Sequence, residues 1–162
     1  MKIQNETATF ARPADTTQYA SGDLVANSTT AGSVTPMEWN VADYDTGVAF
    51  IRRAKIKKSA TSVTSASFRL HLYGASPTIA NGDNSAWSTT ESTYYGAIDV
   101  TVDRAFSDSS AGFGVPVTGS EINAHLRSGG KKIYGLLEAR GTYTPASAET
   151  FSVTLEFWKR VP

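Results

Sequence analysis

The sequence predicts an all-β fold: a two-sheet antiparallel β-sandwich, with a jelly roll as the chosen member of that class. Three observations carry this. Runs with strict two-residue alternation recur along the chain, clusters of Gly, Pro, Asn, Asp and Ser separate them, and no segment of useful length has a helical period. Internal repeats are not detectable. At 162 residues the chain suits one domain, long enough to bury about 70% of the surface its unfolded form exposes.

In order, residues 1–13 read as an N-terminal extended arm or edge strand and 14–162 as the single sandwich domain. Lys2 to Ala11 is polar, Thr-rich and extended, and it stops at Arg12-Pro13, where proline disfavours helix in the residue before it. Ala14 to Thr35 is loop with a short strand near Leu24. Met37 to Ala42 alternates Met37, Trp39 and Val41 against Glu38 and Asn40, as a half-buried strand does, and Asp43 to Gly47 supplies a turn.

Gly47 to Gly74 predicts a central antiparallel hairpin. Its second run places Phe68, Leu70 and Leu72 on one face and Arg69, His71 and Tyr73 on the other. In the first run Ala54 and Ile56 alternate with Arg53, Lys55 and Lys57. Carried back without interruption, that alternation would turn Arg52 inward and Ile51 outward, burying a cation with no evident partner. A bulge at Arg52-Arg53 slips the register by one residue, turns both arginines to solvent and brings Ile51 and Ala49 inside.

Beyond the hairpin, Ala75 to Ser92 is a long ordered loop or weak hairpin around Trp87. Tyr94 to Asp103 is a strand, with Ile98, Val100 and Val102 on one face. Phe106 to Gly119 is rich in Gly and Ser. Ser120 to Leu126 is the one candidate helical turn, with Ser120 as N-cap and Gly129-Gly130 as its stop. Lys131 to Arg140 has the nearly continuous apolar centre of a strand buried on both faces, and Phe151 to Lys159 alternates to the end. The core is expected to hold Phe68, Leu70, Ile98, Val100, Leu136, Val153 and Leu155.

The chemistry on offer is limited. There is no cysteine, hence no disulfide, thiolate metal site or cysteine nucleophile. Fifteen Lys and Arg balance fifteen Asp and Glu, so the total charge gives no support to a nucleic-acid or membrane-surface role. No apolar run spans a bilayer, and MKIQNETATFARP lacks the hydrophobic segment of a secretion signal, so a soluble chain made in the cytosol of its producing cell is expected. His71 and His125 sit in no motif with ligand spacing and read as ordinary polar histidines; GxSxG and phosphate-loop patterns are missing. No catalytic, cofactor or metal residue is assigned. Asn81 to Asn84 and Asp108 to Ser110 have calcium-loop composition without its spacing and read as turns. Trp39, Trp87, Trp158, Tyr94 and Tyr95 suit either a sugar-stacking platform or core and interface filling. The basic group Arg52, Arg53, Lys55, Lys57 and Lys58 is either a solvated, edge-protecting face or a partner-binding patch.

Whole segments resemble a family. FARPADTTQYASGDLVANSTTAG from Phe10, IRRAKIKKS from Ile51, SFRLHLYGASPTIANGDNSAW from Ser67, YYGAIDVTVDRAF from Tyr94 and IYGLLEARGTYTPASAETFSVTLE from Ile133 resemble the jelly-roll decoration, or cement, proteins of tailed bacteriophages. The resemblance covers most of the chain and includes no catalytic signature. It implies a non-enzymatic virion protein, made in the host cytoplasm, that binds the major capsid protein on the outside of the head and ties capsomers together. It also implies a homo-oligomer, a trimer in preference to a dimer, with no nucleic acid, membrane or cofactor as partner. Candidate capsid contacts are Lys2, Arg12, Arg53, Lys55 and Lys57. The alternative is a carbohydrate- or receptor-binding sandwich of the same virion.

Overall fold

A computed structural model describes residues 1–43, 46–90, 93–126 and 130–160. In chain order its strands are β1 (Lys2–Ala11), β2 (Leu24–Val25), β3 (Met37–Asn40), β4 (Val48–Lys58), β5 (Ser67–Tyr73), β6 (Tyr94–Thr101), β7 (Arg104–Ala105), β8 (Ser110–Gly114), β9 (Ile122–His125), β10 (Lys132–Ala139) and β11 (Thr150–Lys159). They form two antiparallel sheets. One is ordered β1-β11-β4-β8-β7 with β9 also on β4; the other is β2-β10-β5-β6 with β3 also on β10. Facing rows β1-β11-β4-β8 and β3-β10-β5-β6, with the chain crossing repeatedly between them, are the arrangement of a jelly roll.

The inward halves of the alternating runs meet between the sheets. Ile51, Ala54 and Ile56 of β4 and Phe151, Val153, Leu155 and Phe157 of β11 pack against Phe68, Leu70 and Leu72 of β5, Ile98 and Val100 of β6, and Ile133 and Leu137 of β10. Phe68 lies edge-on to Phe151, with ring centroids 5.4 Å apart. The buried Trp39 donates its indole N–H to the Val153 carbonyl at 2.9 Å. Leu136 is buried on the other side of β10, beneath the loops, with Leu24 and Ala26. That accounts for the continuous apolar centre of β10, which is covered on both faces.

Two expectations are corrected. Gly47 to Gly74 does not close a hairpin: β4 pairs with β11, β8 and β9, whereas β5 pairs with β10 and β6. The intervening segment carries the chain from one sheet to the other, so the two apolar faces meet across the core instead of side by side. Ser120 to Leu126 is not helical, because Ile122, Ala124 and Leu126 are buried on alternate positions and β9 pairs with Val48–Ile51; Gly129 lies outside the described residues, as does Asp45 of the expected turn. The Gly/Ser-rich stretch after Phe106 contains β8, whose inward positions are Ser110, Gly112 and Gly114. A Cβ at Gly112 or Gly114 would lie 1.9 Å from the carbonyl oxygens of Thr101 and Asp99 respectively, so glycine lets the two sheets approach closely where side chains would separate them.

β1 is the edge of the six-stranded sheet and pairs along its length with β11, from Lys2↔Lys159 to Ala11↔Thr150. Phe10 stacks on Phe151 at 5.5 Å. The segment is therefore part of the sandwich wall and not a detached arm.

Candidate functional site

The bulge sits where the parity argument places it. Arg53 pairs with Glu156 and Ile51 with Phe157, leaving Arg52 as the extra residue of β4. Both arginines reach solvent while Ile51 and Ala54 are fully buried. Arg52 Nε approaches Glu121 Oε1 at 3.3 Å and its guanidinium lies 5.3 Å from the Trp158 ring; Arg53 Nη2 meets Glu156 Oε2 at 3.0 Å. Across β4, Phe113 of β8 projects outward and is 58% exposed. The Arg53 guanidinium and Lys55 Nζ lie 5.2 and 5.7 Å from its ring. Lys57 follows on the same face, also exposed. Ile3 and Val115, 43% and 63% exposed, flank a shallow groove floored by Arg52, Arg53 and Glu156. The outward face of the six-stranded sheet thus carries a basic row set among bare apolar side chains. Lys2 is exposed at the end of β1, but it pairs with the inward-facing Lys159 and so has the opposite parity to Ile3; it does not lie on this face.

Arg12 does not belong to this face. It is 2% exposed, and its five N–H donors are all taken: Nε by the Tyr19 hydroxyl at 2.8 Å, Nη1 by the Pro13 and Asp15 carbonyls, and Nη2 by Asp15 Oδ1 and Asp83 Oδ2, each at 3.0 Å. Asp83 is completed by the Tyr19 hydroxyl at 2.7 Å and the Ala26 N–H at 2.8 Å. Asp83 in the Asn81–Asn84 segment is thus a fixed counter-charge for Arg12, a role no local spacing announces. Lys58 is likewise buried, with Nζ 3.4 Å from Glu149 Oε1, 4.7 Å from the Tyr143 ring centre, and donating to the Ala60 and Ser62 carbonyls. Burial pushes its ammonium pKa down, and Glu149 opposes that shift.

A second cluster lies on the outward face of the five-stranded sheet. His71 Nε2 is 2.7 Å from Glu138 Oε2 and Nδ1 is 3.2 Å from the Tyr94 hydroxyl, while the Trp87 ring stacks on the imidazole at 4.2 Å. Burial holds the His71 pKa below its usual value against the pull of Glu138, which keeps the ring neutral at pH 7. The carboxylate then accepts from Nε2–H, and Nδ1 accepts from Tyr94. Arg69 and Asp99 form a two-pronged pair at 2.6 and 2.7 Å, and Arg140 Nη1 donates to Glu138 at 3.0 Å. The sequence shows these residues as isolated polar positions; register alone brings them together.

Of the other aromatics considered, Trp39 fills the core, Trp158 supports Arg52, and the Tyr95 hydroxyl donates to the His125 carbonyl at 2.5 Å. His71 and His125 belong to different sheets. Among the described residues no three His, Cys, Asp or Glu side chains come together in a way that could hold a metal ion. No protein-family model and no curated protein matches the chain.

Proposed function

We propose that the protein is a structural, non-catalytic virion component that docks on the outside of a phage head and stabilises contacts between capsomers. The observation that supports this reading is the outward face of the six-stranded sheet, where Arg53, Lys55 and Lys57 form a basic row on a globally neutral chain, beside exposed Phe113 and Val115. Its partner is an acidic patch on the major capsid protein. Apolar side chains at the same face contribute area, and the cations contribute orientation and association rate. The docking unit is a homo-oligomer, a trimer before a dimer, since capsomer junctions are symmetric and favour closed assemblies; β1, at a sheet edge, is the strand available for pairing with a neighbouring chain.

Binding to heads that lack the protein tests this. Replacing Arg53, Lys55 and Lys57 by Gln weakens docking at low salt, and the gap to wild type closes near 1 M salt, where the Debye length is about 3 Å. Equal binding by both proteins across that range would reduce the row to a solvated face. Light scattering of wild type in solution checks the oligomer, and a strictly monomeric chain before and after docking contradicts it.

A further inference from the structure

The outward face of the five-stranded sheet plays no part in that docking, yet it holds the more organised set of polar and aromatic groups. β6 is the last strand of its sheet. Along it, Tyr94, Ala97 and Asp99 share the outward side, while Ile98 and Val100 point into the core. Ala97 stands opposite His71, and Asp99 opposite Arg69. The small Ala97 therefore separates Tyr94 from the planar Arg69–Asp99 pair along this edge of the face, with His71 across from it and Trp87 stacked on His71, and this gap between larger side chains is the notch.

We infer that this notch binds a neutral saccharide ring, which stacks on Tyr94 and hydrogen-bonds to Asp99 and Arg69. A pyranose has a face of C–H groups, which suits the electron-rich face of an aromatic ring, and a rim of vicinal hydroxyls, which needs donors and acceptors side by side. Both kinds are present with capacity to spare. Arg69 gives two of its five N–H groups to Asp99, and Asp99 uses two of about four lone-pair sites. Tyr94 and Asp99 are open to solvent, at 41% for the tyrosine and 51% for the Asp99 side chain. The groups are also pre-ordered: Arg69 is held by Asp99, His71 by Glu138 and Tyr94, and Tyr73, 5.4 Å from Tyr94, by its hydroxyl bond to Thr89. Such ordering lowers the entropy a ligand must overcome.

Charge selects the class of sugar. Arg69 and Arg140 offset Asp99 and Glu138, and His71 is neutral at pH 7. An anionic ligand would meet two carboxylates and a cationic one two guanidiniums, whereas a neutral polyol meets neither penalty. The inference does not depend on the docking reading, because it uses the opposite face of the sandwich.

Calorimetric titration and ligand-detected NMR with glucose, galactose, mannose, N-acetylglucosamine and their short oligomers, and with sialyllactose as an anionic comparison, test it. At least one neutral sugar is expected to saturate the protein at millimolar or lower concentration. Asp99→Asn should weaken that binding about tenfold or more, as loss of a hydrogen bond to a charged group does, and Tyr94→Ala should weaken it about tenfold by removing the stacking face, while Arg53→Gln leaves it unchanged. Asp99→Asn keeps the side-chain shape, so it reports on binding even where Tyr94→Ala perturbs folding, and circular dichroism checks both. No saturation by any neutral sugar up to about 20 mM, far weaker than useful recognition, overturns the proposal. Binding of sialyllactose alone, or binding untouched by both substitutions, overturns it as well. Failure here with salt-sensitive docking intact would leave the capsid reading standing.

Discussion

Two regions of the molecule meet the same difficulty, a cation on an alternating strand, and resolve it differently. At one end of β4 the bulge at Arg52 changes the parity of the strand and releases Arg52 and Arg53 to water. At the other end nothing changes parity. Lys58 stands two residues after buried Ile56 and points inward, as does Arg12, two residues after Phe10. The chain instead supplies each buried cation with one buried carboxylate and one tyrosine: Asp83 and Tyr19 for Arg12, which also reaches the more exposed Asp15, and Glu149 and Tyr143 for Lys58. The two clusters are joined through the backbone, with Arg12 N–H donating to the Glu149 carbonyl at 3.0 Å and Tyr19 N–H to the Tyr143 carbonyl at 2.9 Å. Identical residue types thus serve surface contact at one end and a fixed ionic core at the other. What separates them is strand parity and the presence of distant counter-charges.

The largest expected effect breaks the buried end. Asp83→Ala removes the carboxylate that holds Arg12, Tyr19 and the Ala26 N–H together. A buried cation left short of its partner costs about 3 to 5 kcal/mol, read as a drop in the urea midpoint at unchanged slope. Arg12→Met should cost less, because Asp83 keeps its bonds to Tyr19 and Ala26. Equal and small losses for both variants would mean that water reaches the cluster and that Arg12 is not desolvated.

Much of the architecture was legible because large side chains alternate. Phe68, Leu70 and Leu72, or Phe151, Val153, Leu155 and Phe157, announce strand and inward face together. The bulge was legible for the same reason, since only a register slip reconciles Ile51 with Ala54. β8 escaped notice because its inward positions are a serine and two glycines, with no large apolar side chain to mark a face, and β9 because four residues of I-N-A-H satisfy a helical turn as readily as a strand. Arg12 escaped for a different reason. Its parity was readable, but Asp83 lies 71 residues away, in a stretch whose composition says only turn. The notch around His71 is hidden likewise, since Arg69–Asp99 and His71–Glu138 are cross-strand relations that depend on which strands become neighbours.

An intermediate effect sharpens the other end. Deleting Arg52 leaves Ile51, Arg53 and Ala54 in uninterrupted alternation, with Ile51 and Ala54 inward and Arg53 outward, so no apolar side chain changes face. The loss is confined to the local bend, the ion pairs with Glu121 and Glu156 and the contact with the Trp158 ring, and should stay below about 3 kcal/mol, the ordinary range for single changes. Deleting Ala54 instead either inverts the parity of one flank or, where the bulge is given up, turns Arg53 inward in the place of Ala54 with no buried partner, and either outcome should unfold the domain. Comparable thermal melts for the two deletions would show that the register is set elsewhere than at the bulge.

The smallest expected effect on folding is at the basic row itself. Replacing Arg53, Lys55 and Lys57 by Gln removes one ion pair to Glu156 and two cation–ring contacts with Phe113. Arg53 is half exposed and Glu156 keeps Arg52 at 3.6 Å. Exposed pairs contribute about 0 to 1 kcal/mol, and exposed cation–ring contacts about 0.5 to 1; glutamine retains part of each side chain's packing over the sheet. The triple variant should therefore unfold in urea within about 1 kcal/mol of wild type, even where its docking to heads is weakened at low salt. A loss of several kcal/mol would place these cations with Arg12 and Lys58 as structural charges, and any accompanying loss of docking would then reflect misfolding of the face and not the removal of a contact. Stability held constant while docking falls is the outcome that separates the two ends of β4 by function as well as by burial.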